Sequence, residues 1–282
     1  MSDAPHGPLQ SYVDKWLAVQ PQQRVALVFV DPHRHAGHIA LAALEQELLA
    51  AAYGIREPQV AAVKLNWWAE ELAGAAQGGG RHPLTQVLFD DARARKLPAE
   101  LWLAPVRAAI AQLEAGTAAD FGAQLVTAEP LHGALAALET AWWFGIDADP
   151  RRAGRVAVLA HLCHALRRLQ DDTECDRLPL PMARLARFGL SRADLRSPGA
   201  ARDQALRAQL GDLAEAWREA MALAGPLGMF RTLEARESMR LAKAAARAGD
   251  PLATLQRGLP GNGFGLTLAA WRAARRWRLA EG

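Results

Sequence analysis

Residues 166–181 read LRRLQDDTECDRLPLP. An apolar helical run enters a cluster of acids and then meets Pro179 and Pro181, which no helix interior tolerates well. Asp171, Asp172, Glu174 and Asp176 set carboxylates close together, the ligand type a divalent cation takes. Arg168 lies one turn before Asp172, where its fixed charge competes for the same oxygens. Upstream, Pro150 opens a helix predicted to run to Asp172. Val156, Leu159, Ala160, Cys163 and Leu166 give it an apolar side, while His161, His164, Arg168, Asp171 and Asp172 form a polar stripe. A solvated face normally carries Glu and Lys. Two histidines, an arginine and aspartates instead favour a stripe that lines a cavity.

Outward from this stretch, prolines and glycines divide the chain into further helices. A tail and a short helix over 9–19 come first. Asp31-Pro32 predicts an N-cap and first turn for a helix to Tyr53, and Arg56-Glu57-Pro58 opens one through Trp67 and Trp68 to Gly74. Starts follow at His82-Pro83, Pro98, Thr117 and Pro130. A short helix over 182–188, a turn capped by Ser191, and helices over 200–224, 230–248 and 264–279 complete the set. No segment alternates with period two and no repeat is present, so the chain is read as all-α. The expected organisation is a tail and short helix over 1–19 and one domain over 20–282.

Composition agrees. Ala, Leu and Arg dominate, and 51% of residues are apolar, enough for a large core. Lys+Arg (33) nearly cancels Asp+Glu (30), which argues against a nucleic-acid partner. Cys163 and Cys175 have no zinc-site spacing. The first ten residues, MSDAPHGPLQ, lack a basic start and an apolar run, so a cytoplasmic location is expected. No run is long and apolar enough to span a bilayer. The last helix carries Trp271, Arg272, Arg275, Arg276 and Trp277, a candidate face for peripheral membrane contact; packing through its tryptophans is the simpler alternative.

Other clusters carry less. His35 and His38 are one turn apart, but no third firm metal ligand accompanies them. In the pairs Trp67-Trp68 and Trp142-Trp143, one ring can face the core and the other a groove; the ordinary reading is core and helix-packing anchors. Glu47 has no second carboxylate at i+3 or i+4, which suits pairing with an arginine such as Arg168 better than metal ligation. No phosphate-cradling glycine loop and no nucleophile elbow is present.

Several of these pieces together resemble the squalene/phytoene synthase family. Arg56-Glu57-Pro58 followed by Lys64-Leu65-Asn66-Trp67-Trp68-Ala69-Glu70 is similar to its EP…RLqWWrd segment, and Arg81-His82-Pro83-Leu84 to its HPva element. Residues 166–181 resemble its second aspartate-rich motif and GRxYLP ending, through Arg177, Leu178, Leu180 and Pro181. Phe188-Gly189-Leu190 and Asp194-Leu195 follow as in the family. The likeness spans roughly 20–275 and is strongest to the branch that includes a complex I assembly factor. It implies an isoprenoid synthase-like helical bundle around a central cavity, in a family whose enzymes join prenyl diphosphates head to head with Mg²⁺ held by two aspartate-rich motifs.

The motif positions depart from that pattern. In the first motif only Glu47 matches an acid, and the later acidic positions fall on Ala50, Ala51 and Ala52. In the second, Arg168 replaces the leading Asp, Asp172 matches the later one and Asp171 an acid beside it. Asp176 replaces Gly, and Pro179 replaces Tyr. Trp67, Trp68, His161, His164 and Arg177 are the candidates for the cavity wall. The expected outcome is a relative that has lost Mg²⁺-dependent prenyl transfer, needs no cofactor, and either holds a prenyl or other lipid chain or serves as an assembly factor for a membrane enzyme. An active prenyltransferase, with Mg²⁺ as its cofactor, is the alternative. An Arg168–Glu47 or Arg168–Asp172 ion pair is expected to satisfy the buried charge without metal.

Overall fold

The structure, a computed structural model, describes residues 7–175, 177–258 and 263–281, with side chains placed through 277 in the last helix. The described residues form helices and no strand. In chain order these are α1 (Gln10–Val19), α2 (Gln23–Leu27), α3 (Ala36–Gly54), α4 (Pro58–Ala75), α5 (Pro83–Asp90), α6 (Ala99–Gln112) and α7 (Phe121–Phe144). They continue with α8 (Arg151–Arg167), α9 (Leu169–Glu174), α10 (Met182–Arg187), α11 (Ala200–Ala222), α12 (Met229–Arg247), α13 (Pro251–Arg257) and α14 (Phe264–Glu281).

Local chemistry explains most boundaries. Pro58, Pro83 and Pro251 occupy the first turns of α4, α5 and α13, where the missing N–H costs nothing. Asp120 caps α7 by accepting from Ala123 N, and Asp250 caps α13 by accepting from Ala253 N. The start of α5 is held by Glu71, whose carboxylate accepts from the backbone N–H groups of Arg81 and His82 and from the Thr85 hydroxyl. Ser191 and Asp194 cap one another's turn reciprocally.

Three predicted boundaries differ. Asp31 does not cap α3: its side chain accepts from His33 N in a tight turn, and the helix starts at Ala36. Pro130 does not start a helix. It lies inside α7, which runs unbroken because α6 and α8 pack along it and outweigh the one lost hydrogen bond. The helix from Pro150 does not reach Asp172. It stops at Arg168, whose φ of −96° and ψ of 16° leave the helical region, and α9 resumes one residue later. The helices α2 and α13 were not anticipated, being only 5 and 7 residues long.

Two apolar cores share α7. One packs Leu44 and Leu48 of α3, Trp68 of α4, Trp102 of α6 and Leu131, Leu138 and Trp142 of α7. The other packs Leu125 of α7 with Leu159 and Leu166 of α8, Leu206 and Trp217 of α11 and Leu241 of α12. Helix α3 lies so close to α7 that a Cβ on Gly37 would come within 2.7 Å of the Trp142 ring. Between these layers, α3, α7, α8 and α12 enclose a cavity.

Candidate functional site

The cavity has a volume of about 940 Å³, large enough for an extended small-molecule ligand. Leu49, Ala50, Ala52 and Tyr53 of α3 form one wall. Ala128 and His132 come from α7, Ala157, Ala160, His161 and His164 from α8, and Arg231, Glu234, Glu237 and Leu241 from α12. Arg168, Asp172 and Arg177 close the end beyond α8. The period of α8 explains its share: His161 and His164 are one turn apart and face inward together, while Leu159 and Leu166 face the core.

Polar groups run along this wall. The Tyr53 ring stacks on His161 with centroids 4.3 Å apart, and His132 lies 4.4 Å from His161. The Tyr53 hydroxyl is 3.4 Å from His132 Nε2. Burial pushes the His161 imidazole down to about 3, helped by His164. His164 falls to about 4 through burial and the positive charges of Arg167 and Arg168. Both rings are therefore neutral at pH 7. Arg177 donates to the backbone carbonyls of Tyr53 and Ile55, the latter at 2.7 Å, and so fastens the chain after α9 to the end of α3.

The acids are committed elsewhere. Glu47 is not part of the cavity wall: it faces α1 and α4, where Lys64 at 2.9 Å and Lys15 at 3.3 Å hold it. Burial alone would raise its carboxyl, but the two lysines outweigh this and keep it below the usual value. The expected Arg168–Glu47 pair is thus absent, because the two lysines already occupy Glu47. Arg168 pairs with Asp172 at 3.4 Å. Burial raises the Asp172 carboxyl in spite of Arg168 and Arg177. Asp171, on the other side of α9, is exposed, and Asp176 lies outside the described residues.

Neither Trp67 nor Trp68 lines the cavity. Trp68 is buried and Trp67 half-exposed, and both rings pack edge-on against His82, at 4.7 and 5.7 Å. They anchor the start of α5 and stand on the outer side of α4. Trp142 and Trp143 are both buried, as helix-packing anchors in the core. His38 packs against them, and His35 packs on Trp277 at 4.3 Å.

Sequence reasoning missed a second charged group on the wall. Arg231 of α12 is buried and bonds three carboxylates at once: Glu45 of α3 at 2.6 Å, Glu139 of α7 at 2.8 Å and Glu234 at 2.6 Å. Burial, offset in part by Arg231, pushes Glu139 up to about 7. The only sequence signal was the Arg231/Glu234 spacing within α12; the partners on α3 and α7 are remote in the chain.

A family model described as squalene/phytoene synthase matches residues 23–262. The chain belongs to the squalene/phytoene synthase family. Among solved structures, a dehydrosqualene synthase bound to a ligand is similar with a TM-score of 0.63 and 10% identity, covering 97% of this chain and 99% of that one. The squalene synthase HpnC from Alicyclobacillus acidocaldarius gives 0.57 and 18% identity, over 86% of this chain and 94% of that one. At such identities the likeness establishes the isoprenoid synthase-like fold. No curated protein sequence matches.

A Mg²⁺ array of the family's kind needs free carboxylates on facing helices. Four carboxylates line the cavity among the described residues, and an arginine engages each: Glu45 and Glu234 on Arg231, Glu237 on Arg240, Asp172 on Arg168. Beyond Glu45, the α3 positions on the wall include Leu49, Ala50 and Tyr53, which offer Mg²⁺ no carboxylate. No group of three or more His, Cys, Asp or Glu among the described residues is placed to hold a metal ion. The donor set does not fit the array.

Proposed function

We propose that this family member uses its cavity to hold a prenyl or other lipid chain and does not carry out Mg²⁺-dependent prenyl transfer. The observation that supports this reading is the pairing of every described cavity carboxylate with an arginine, Glu45 of the α3 wall included. A prenyl diphosphate ionises only when metal ions and cations take up the charge of its leaving group. Carboxylates neutralised by arginine recruit no Mg²⁺ for that step. The apolar share of the wall suits a hydrocarbon chain, whose burial yields roughly 25 cal/mol per Å².

Isothermal titration of farnesyl diphosphate with and without Mg²⁺, alongside a product assay, tests the reading. Equal binding in both conditions and no condensation product are expected. Arg168→Asp is expected to leave Mg²⁺ binding undetected up to millimolar concentration, because the cavity carboxylate on α3, Glu45, is already held by Arg231. Metal-dependent condensation by the unaltered chain would refute the proposal. Native mass spectrometry of the purified protein supplies the positive arm, a co-purified lipid-sized species.

A second reading, a scaffold for assembly of a membrane enzyme as in the branch that includes a complex I assembly factor, is favoured by the outer face of α14. There Trp271, Arg272, Arg275 and Arg276 are exposed, and the Arg275 guanidinium lies 5.6 Å from the Trp271 ring centre.

A further inference from the structure

The Tyr53–His132–His161–His164 group was not anticipated as a unit, and holding an apolar chain does not by itself require it. Three helices bring it together: Tyr53 from the end of α3, His132 from the middle of α7, His161 and His164 from one face of α8. Such a stack has a desolvation cost, since four polar rings replace what apolar side chains would fill more favourably. His132 and Tyr53 satisfy one another in part at 3.4 Å. His161 and His164 are different. Both are partly open to the cavity, and neither hydrogen-bonds a described residue.

Resting on the lipid-holding reading above, we propose that His161 and His164 bind the head of the lipid, and that this head is an uncharged oxygen group, a hydroxyl or a carbonyl. A neutral imidazole presents one N–H donor and one bare nitrogen acceptor. Two such rings one helical turn apart, with the Tyr53 phenol beside them, match an alcohol that both donates and accepts, or a carbonyl that accepts from the N–H sides. An anionic head would meet only neutral N–H donors on these rings, with no imidazolium to offset its charge. With His161 near 3, protonating it at pH 7 is disfavoured by about ten-thousandfold.

Arg56 and Arg257 also line the cavity but are exposed to solvent, where their charge is screened. Arg168 is held by Asp172, and Arg177 is spent on the carbonyls of Tyr53 and Ile55. Arg167, at the outer end of α8, adds positive potential that further opposes an imidazolium at His164.

The test uses full-length protein freed of lipid and titrated with three probes: geranylgeraniol, a quinone carrying a prenyl tail, and farnesyl diphosphate with and without Mg²⁺. At least one neutral probe is expected to bind ten times more tightly than the diphosphate, and the better of the two identifies the head as hydroxyl or carbonyl. In the His161→Phe/His164→Leu variant, which keeps a ring against Tyr53, that preference is expected to fall at least tenfold. ¹⁵N NMR of the imidazoles in the unaltered protein, which needs no variant to fold, is expected to show both rings neutral before and after binding. A diphosphate bound more tightly than either neutral probe, or rings that become charged on binding, would overturn the head-group assignment while leaving the lipid-holding cavity intact. Unchanged neutral-probe binding in the variant would also overturn it. Failure of every probe to bind would overturn the lipid-holding reading itself.

Discussion

His38 shows how much one side chain can weigh. It is only 1% exposed, packs on Trp142, Trp143 and Trp277, and neither ring nitrogen meets a hydrogen-bonding group among the described residues. Burial, with the charges of Arg93 and His35, lowers it from 6.5 to about 3. Between those values the unfolded chain binds the proton and the folded protein does not, so stability falls as pH drops below about 6.5. At pH 5 the loss amounts to roughly 2 kcal/mol relative to pH 7, at about 1.4 kcal/mol per unit. His38→Leu is close in volume and is expected to change stability by less than about 1.5 kcal/mol at pH 7. The same variant should gain about 2 kcal/mol on the unaltered protein at pH 5. Urea unfolding at the two pH values measures this, and an equal offset at both would contradict it. At the same scale, the α8 face was legible in the sequence: spacing alone put His161, His164, Arg168 and Asp172 in one stripe. Glu47 was not, because nothing in its helix shows that Lys15 and Lys64, on two other helices, hold it from the side away from the cavity.

Between elements, Arg231 is the tie. It fastens α12 to Glu45 on α3 and Glu139 on α7, across the wall of the cavity. Removing the cation while leaving the acids strands like charges in a low-dielectric site, a loss of about 3–5 kcal/mol. Glu139, raised from 4.5 to about 7 by burial, is protonated more readily folded than unfolded in that interval. Its contribution is therefore full below about 4.5 and is lost as pH rises through 7. Arg231→Met is accordingly expected to cost the most at pH 8 and distinctly less at pH 5.5, where Glu139 carries a proton and the repulsion is relieved. Chemical denaturation at both values reads this, and a loss independent of pH would show that packing, not charge, is what Arg231 supplies. The helices themselves were readable wherever a proline fixed the first turn, as at Pro58 and Pro83. Reading failed where tertiary packing overrode a local signal, as at Pro130, and where no local signal existed, as at Arg168, which breaks α8 from α9 without Gly or Pro. The Arg231 cluster was illegible for a related reason: its members are 186 and 92 residues apart along the chain and meet only through the fold.

At the scale of the whole molecule, the cavity and the last helix are continuous. Leu266 of α14 lines the cavity, and Leu266, Ala270, Ala274 and Trp277 bury the helix's inner face in the core. The opposite face exposes Phe264 and Trp271 with Arg272, Arg275 and Arg276, and none of these arginines pairs with a described carboxylate. No helix among the described residues is long and apolar enough to cross a membrane. A basic, Trp-bearing helix whose inner face reaches the cavity at Leu266 suits an anionic surface, where each arginine contributes about 1 kcal/mol. The protein is expected to float with phosphatidylglycerol vesicles at low salt, to release at about 0.5 M salt where the Debye length shrinks below 5 Å, and to ignore neutral vesicles. Deleting α14 would remove part of the core along with the charge, so the informative variant is Arg272→Gln/Arg275→Gln/Arg276→Gln. Losing about 3 kcal/mol of attraction, it should bind more than a hundredfold more weakly with its melting temperature nearly unchanged. If that variant floats as the unaltered protein does, the outer face of α14 has no part in membrane contact, and lipid must enter the cavity by another route.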